Sequence, residues 1–149
     1  MNRTQPGARL LREQGSGALP ALPPGPALDA GALDRLADAV GADNIVEIMD
    51  LIIESVPASR AEIRVCAQGT KPDRLERAAH QLKSDCASMG ATGLAARLQD
   101  VESRAHAGTA QPAGEIDLVS DQLDWFLEAL WRERNVRAGA AGQHEKARR

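Results

Sequence analysis

Aromatic residues are nearly absent: the 149 residues include no tyrosine, one phenylalanine and two tryptophans, only 2% of the chain. A core therefore has to come from the 43% of hydrophobic residues, which are mostly Ala, Leu, Ile and Val. Aliphatic side chains among good helix formers suit a helical bundle. Strand patterning is missing as well, since no segment alternates with period two over strand length. There is no glycine-rich loop to cradle a nucleotide phosphate. No stretch approaches the roughly 20 apolar residues that a membrane span needs, and the N-terminal arginines lead into no apolar run of signal-peptide length. The two cysteines, Cys66 and Cys86, lack a short metal-binding spacing and read as reduced, buried thiols. Together these absences point to the cytoplasm.

The formal net charge of -3 is unevenly spread. Arg3, Arg9 and Arg12 outnumber Glu13 in residues 1–27. Arg132, Arg134, Arg137, Lys146, Arg148 and Arg149 outnumber Glu133 and Glu145 in residues 132–149, which leaves 28–131 at -9. A body this acidic repels nucleic-acid phosphate, so nucleic-acid binding is not expected of it. The basic end reads as a solvated tail.

Residues 1–27 are rich in Gly and Pro, including Pro20, Pro23, Pro24 and Pro26, and read as a disordered leader. From Leu28 the pattern becomes helical. Asp29 is placed to cap a short helix carrying Leu33, Leu36, Ala37 and Val40, and Gly41 ends it. Ile45, Ile48, Met49, Ile52, Ile53 and Val56 define a second helix from Asp43, which Pro57 is expected to kink or split before Ile63 and Cys66 continue it to Gly69. A third opens at Pro72 and Asp73, where Thr70 and Asp73 have capping-box spacing, and closes at Gly90. Leu94, Leu98, Val101 and Ala105 stripe a fourth, from Thr92 to Gly108. Ile116, Val119, Leu123, Phe126, Leu127 and Leu130 stripe the last, from Glu115 to Arg134. The expected fold is all-α: an antiparallel up-down four-helix bundle over 28–134 with a short extra N-terminal helix, and a disordered basic tail over 135–149.

The third helix carries one residue that packing does not account for. At about 100° per residue, Leu75, Ala78, Ala79, Leu82, Cys86 and Met89 share a face centred roughly 210° from His80. The imidazole thus points away from the core. Ser84 and Ala87 lie beside it, too small to cover it, and Lys83 borders it on the other side. An exposed imidazole in its neutral form is a competent nucleophile.

The order Ala79-His80-x-Leu82-Lys83-Ser84, followed by Gly90-Ala91-x-x-Leu94 and later Leu98 and Glu102, resembles the histidine-containing phosphotransfer (HPt) domain family. The likeness runs from Leu28 to about Trp131. Ser84 stands where that family often has glycine, and the acidic residue common before the histidine helix is missing around Thr70 and Lys71.

The resemblance implies that His80 is phosphorylated, at Nε2, with Lys83 as the partner of the phosphoryl oxygens. Ser84 and Ala87 would leave room for a docking partner, and Gly90 would end the helix so that the next packs close by. Arg77 and Gln81 join the docking set, although Arg77 is equally placed to pair with Asp73. The function implied is a phosphocarrier in a two-component phosphorelay, taking a phosphoryl group from a receiver aspartate and passing it to another response regulator. Its partners would be receiver domains and a hybrid sensor histidine kinase. No cofactor or metal is expected on this chain, Mg²⁺ belonging to the receiver, and neither ATPase nor kinase activity nor a dimer is expected.

Other readings fit less well. A sensor-kinase dimerisation helix has an acid directly after its histidine, where Gln81 stands here. His80, His106 and His144 show no metal-ligand spacing. The rival is a helical docking module of the same fold that binds a receiver or kinase without being phosphorylated.

Overall fold

The computed structural model describes residues 28–68 and 71–148, with the side chains of 141 and 143–148 outside the description. The expected disordered leader, together with Gly69 and Thr70, also lies outside the described residues.

The first helix, α1 (Ala30–Val40), starts because Asp29 Oδ1 accepts from the Gly31 and Ala32 amides at 2.9 and 3.3 Å. It stops at Gly41, whose φ of +99° returns the chain and whose amide closes on the Ala37 carbonyl. Helix α2 then runs unbroken over Ala42–Cys66. Pro57 does not split it: the ring lies on an exposed face, where water can meet the carbonyl that loses its donor. Helix α3 (Pro72–Ser88) has proline in its first turn, where a missing N–H costs nothing, and Lys71 at its cap position makes no side-chain capping bond. Helix α4 covers Thr92–Ala107.

The last helix, α5, continues past Arg134, where the sequence pattern ended it, to Arg148. Residues 135–148 are therefore helical rather than frayed. Arg134 holds both oxygens of Asp50 at 2.7 and 3.1 Å, and Arg137 reaches Glu133 and Asp34, each at 2.8 Å. These contacts anchor the start of a stretch whose four alanines and two arginines favour helix, although Gly139 and Gly142 do not.

All five helices join one aliphatic core, and no strand occurs among the described residues. Helix α2 packs on α1, α3 and α5, α3 packs extensively on α4, and α4 touches α5 more lightly. The stripes read from the sequence face inward: Leu82, Leu98, Val101, Leu123 and Leu130 are fully buried, around Phe126. Each such leucine contributes on the order of 1.5–3 kcal/mol by leaving water. Cys66 and Cys86 are free and buried, and burial pushes both thiols up from their ordinary range. No helix among the described residues is long and apolar enough to cross a membrane.

The turn from α3 to α4 fixes how those two helices meet. The Ala91 amide reaches back to the Cys86 carbonyl at 2.8 Å and the Gly90 amide to Ala87 at 3.1 Å, a Schellman ending with Gly90 at φ +79°. A Cβ at Gly90 would stand 2.6 Å from Asp29 Cβ and 2.8 Å from the Asp29 nitrogen. The close neighbour that needs this glycine is thus the start of α1, not the following helix.

Candidate functional site

Because α3 puts its apolar stripe into the core, the opposite face carries His80 into solvent, and its side chain is 61% exposed. Ser84 and Ala87 are exposed beside it, and neither covers the ring. Arg77 is exposed as well, and among the described residues it makes no ion pair with Asp73.

What the periodicity of one helix could not show is the row of pairs that α3 makes with α4. His80 Nδ1 lies 2.6 Å from Glu102 Oε1. Lys83 Nζ donates to Glu102 Oε2 at 2.5 Å and to Gln99 Oε1 at 2.9 Å. One turn back from His80, Glu76 Oε1 lies 3.0 Å from His106 Nδ1. Positions rise along α3 as they fall along α4, so the row is an antiparallel ladder with about one rung per turn. Glu102 had entered the sequence reading only as part of a family pattern, yet one carboxylate holds both the imidazole and the ammonium group.

The electrostatics of Glu102 decide the state of the ring. Only 15% of its side chain is exposed, and burial pushes the carboxyl up. The hydrogen bonds from Lys83 and His80, with their charges, outweigh that and hold it below the ordinary carboxylate range. Ionised, it can only accept. Facing that carboxylate, Nδ1 of His80 is the donor, so in the neutral ring the lone pair is on Nε2. Lys83 is 24% exposed, with its ammonium group beside the same carboxylate.

Gln81 is exposed, and its Nε2 donates to Asp85 Oδ1 at 3.1 Å. Asp85 itself is buried, which raises its carboxyl above the usual range despite that bond, and Oδ2 has no hydrogen-bond partner. No sequence signal set Asp85 apart from the exposed polar residues. Among the described residues, no group of three or more His, Cys, Asp or Glu is placed to hold a metal ion.

Comparison with known proteins bears on the same helices. The sequence pattern of the Hpt domain matches residues 47–133. The fold is similar to the crystal structure of histidine-containing phosphotransfer protein B from Pseudomonas aeruginosa PAO1. That likeness has a TM-score of 0.62 at 21% identity and covers 74% of this chain and 96% of that one. Among curated proteins, none matches.

Proposed function

Since the chain belongs to the Hpt domain family, and is thus a histidine phosphotransfer protein of a two-component phosphorelay, we propose that His80 is its phosphoryl acceptor. The observation that carries this reading is the exposed imidazole with Nδ1 on Glu102 and Lys83 on the same carboxylate. In the forward step the Nε2 lone pair attacks the phosphorus of a receiver's aspartyl phosphate. The N–P bond forms as the P–O bond breaks, and the aspartate leaves as a carboxylate. The ring gains positive charge, which Glu102 offsets through the Nδ1 proton. Lys83 turns on its flexible stem from Gln99 and Glu102 to meet the phosphoryl oxygens. The reverse sequence delivers the group to a second receiver.

Phosphoryl transfer of this kind is mainly positioning and charge neutralisation. The chain supplies the nucleophile and one cation, and the receiver supplies its acceptor aspartate and Mg²⁺. Arg77, Gln81, Ser84 and Ala87 form the docking rim, with Gly90 structural. The protein acts as a monomeric, cytoplasmic carrier on an antiparallel up-down four-helix frame. It has no ATPase or kinase activity of its own and no nucleic-acid partner.

The test is incubation with a panel of phosphorylated receivers, following acid-labile, base-stable label mapped to residue 80. Label at His80 that is lost in His80→Gln supports the proposal. A wild-type chain unlabelled across the panel overturns it, and unlabelled protein that still binds receivers would mark a docking module instead.

A further inference from the structure

The ladder between α3 and α4 holds a second imidazole of the same build. Glu76 and His80 stand four residues apart on α3, and Glu102 and His106 stand four apart on α4. Each acid therefore lies one turn before the histidine on its own helix. Because the helices run antiparallel, the two pairs exchange partners: His80 bonds Glu102 and His106 bonds Glu76. The result is a local two-fold arrangement in which both rings turn Nδ1 toward a carboxylate of the facing helix. His106 is the more open of the two, with its side chain 78% exposed. Ser103 and Ala107, its small neighbours on α4, are exposed and leave it uncovered.

We propose that His106 is a second phosphoryl-accepting residue, taking an activated phosphoryl group on Nε2 while Glu76 holds Nδ1. The inference extends the reading of His80 to another ring and uses the same chemistry. Facing a carboxylate, Nδ1 is the donor, so in the neutral ring the lone pair is on Nε2 and directed away from Glu76. With phosphoramidate as donor, the Nε2–P bond forms as the P–N bond of the protonated donor breaks, and ammonia leaves. The proton on Nδ1 stays in the bond to Glu76, whose negative charge balances the phosphorylated ring. Among the described residues no lysine or arginine pairs with Glu76, so His106 has no counterpart of Lys83 and accepts more slowly than His80.

The experiment uses the full chain as wild type, as His80→Gln and as His80→Gln with Glu76→Gln, treated with phosphoramidate. Phosphohistidines are then mapped by mass spectrometry in alkali, with His144, which has Ala140 and not a glutamate four residues before it, as the internal reference. The expected result is that His106 in the His80→Gln chain is labelled faster than His144, and that adding Glu76→Gln removes the advantage. Labelling of His106 no faster than His144, or unchanged by Glu76→Gln, overturns the proposal. A second arm offers phosphorylated receivers to the His80→Gln chain. Label at His106 there assigns a protein donor, whereas label from phosphoramidate alone assigns small-molecule donors. The two readings fail separately: label at His106 with none at His80 from any receiver sinks only the first, and the converse sinks only the second.

Discussion

Two rows of polar side chains cross between helices in this bundle, and they are made of different chemistry. Between α2 and α5 the pairs are made by arginines. Arg60 donates to the Ser120 carbonyl and to Asp124, each at 3.1 Å, Arg64 pairs with Asp117 at 3.5 Å, and Arg134 takes both oxygens of Asp50. Between α3 and α4 the carboxylates meet imidazoles and one lysine. A guanidinium never gives up its proton in the working range, and its rigid fork matches a carboxylate, so the first row is a clamp. An imidazole has a second nitrogen to spare, and an ammonium group on a flexible stem can exchange partners. On the role proposed for His80, the contrast teaches that residue type, more than the presence of ion pairs, would separate a working face from a structural one.

The largest expected effect comes from removing what lies beneath the α3–α4 row. Leu98, fully buried next to Gln99, should cost about 2–5 kcal/mol as Leu98→Ala. Urea unfolding would read this as a lower midpoint. A loss below about 1 kcal/mol would mean that the ladder, and not the core, holds α4 in place.

Glu102→Gln tests the working row itself. It should slow phosphoryl transfer to His80 by about tenfold, or ~1.4 kcal/mol in the barrier, with little change in the urea midpoint. Because the folded-state carboxyl is held below its unfolded value, Glu102 adds stability above the ordinary carboxylate range and loses it as pH falls through the depressed value. The small stability gap between wild type and Glu102→Gln should therefore close in acid. Unchanged transfer kinetics would reduce Glu102 to a second clamp and erase the distinction between the rows.

Arg134→Ala should have the smallest effect, a slight loss of stability for an exposed pair screened by solvent, and none on transfer to His80. The hydrogen bond from Arg134, aided by its charge and opposed by burial, lowers the Asp50 carboxyl. This contribution too is present above the unfolded carboxylate value and disappears as pH falls through the folded one. Thermal melts across a pH series would show the two chains converging in acid. A transfer defect in Arg134→Ala would join the rows functionally.

Much of the frame can be read along the chain, since the stripe from Leu75 to Met89, the Asp29 cap and the Gly41 stop are local patterns. The same stripe places His80 outward without any knowledge of neighbours. What escapes such reading involves partners distant in sequence. Arg134 meets Asp50 across 84 positions, at the point where α5 runs on beyond the end of the apolar pattern. His80 finds Glu102 across 22 positions. The twin Glu-x-x-x-His spacing was the one available hint, and it acquires meaning only once α3 and α4 are known to run antiparallel. Asp85 escaped because burial of a lone carboxyl on a helix flank leaves no periodic trace.

The contact between Gly90 and Asp29 joins the start of α1 to the end of the helix that bears His80, through a space where one methyl group would not fit. A methyl-sized wedge at position 90 would therefore push the start of α1 away from the end of α3.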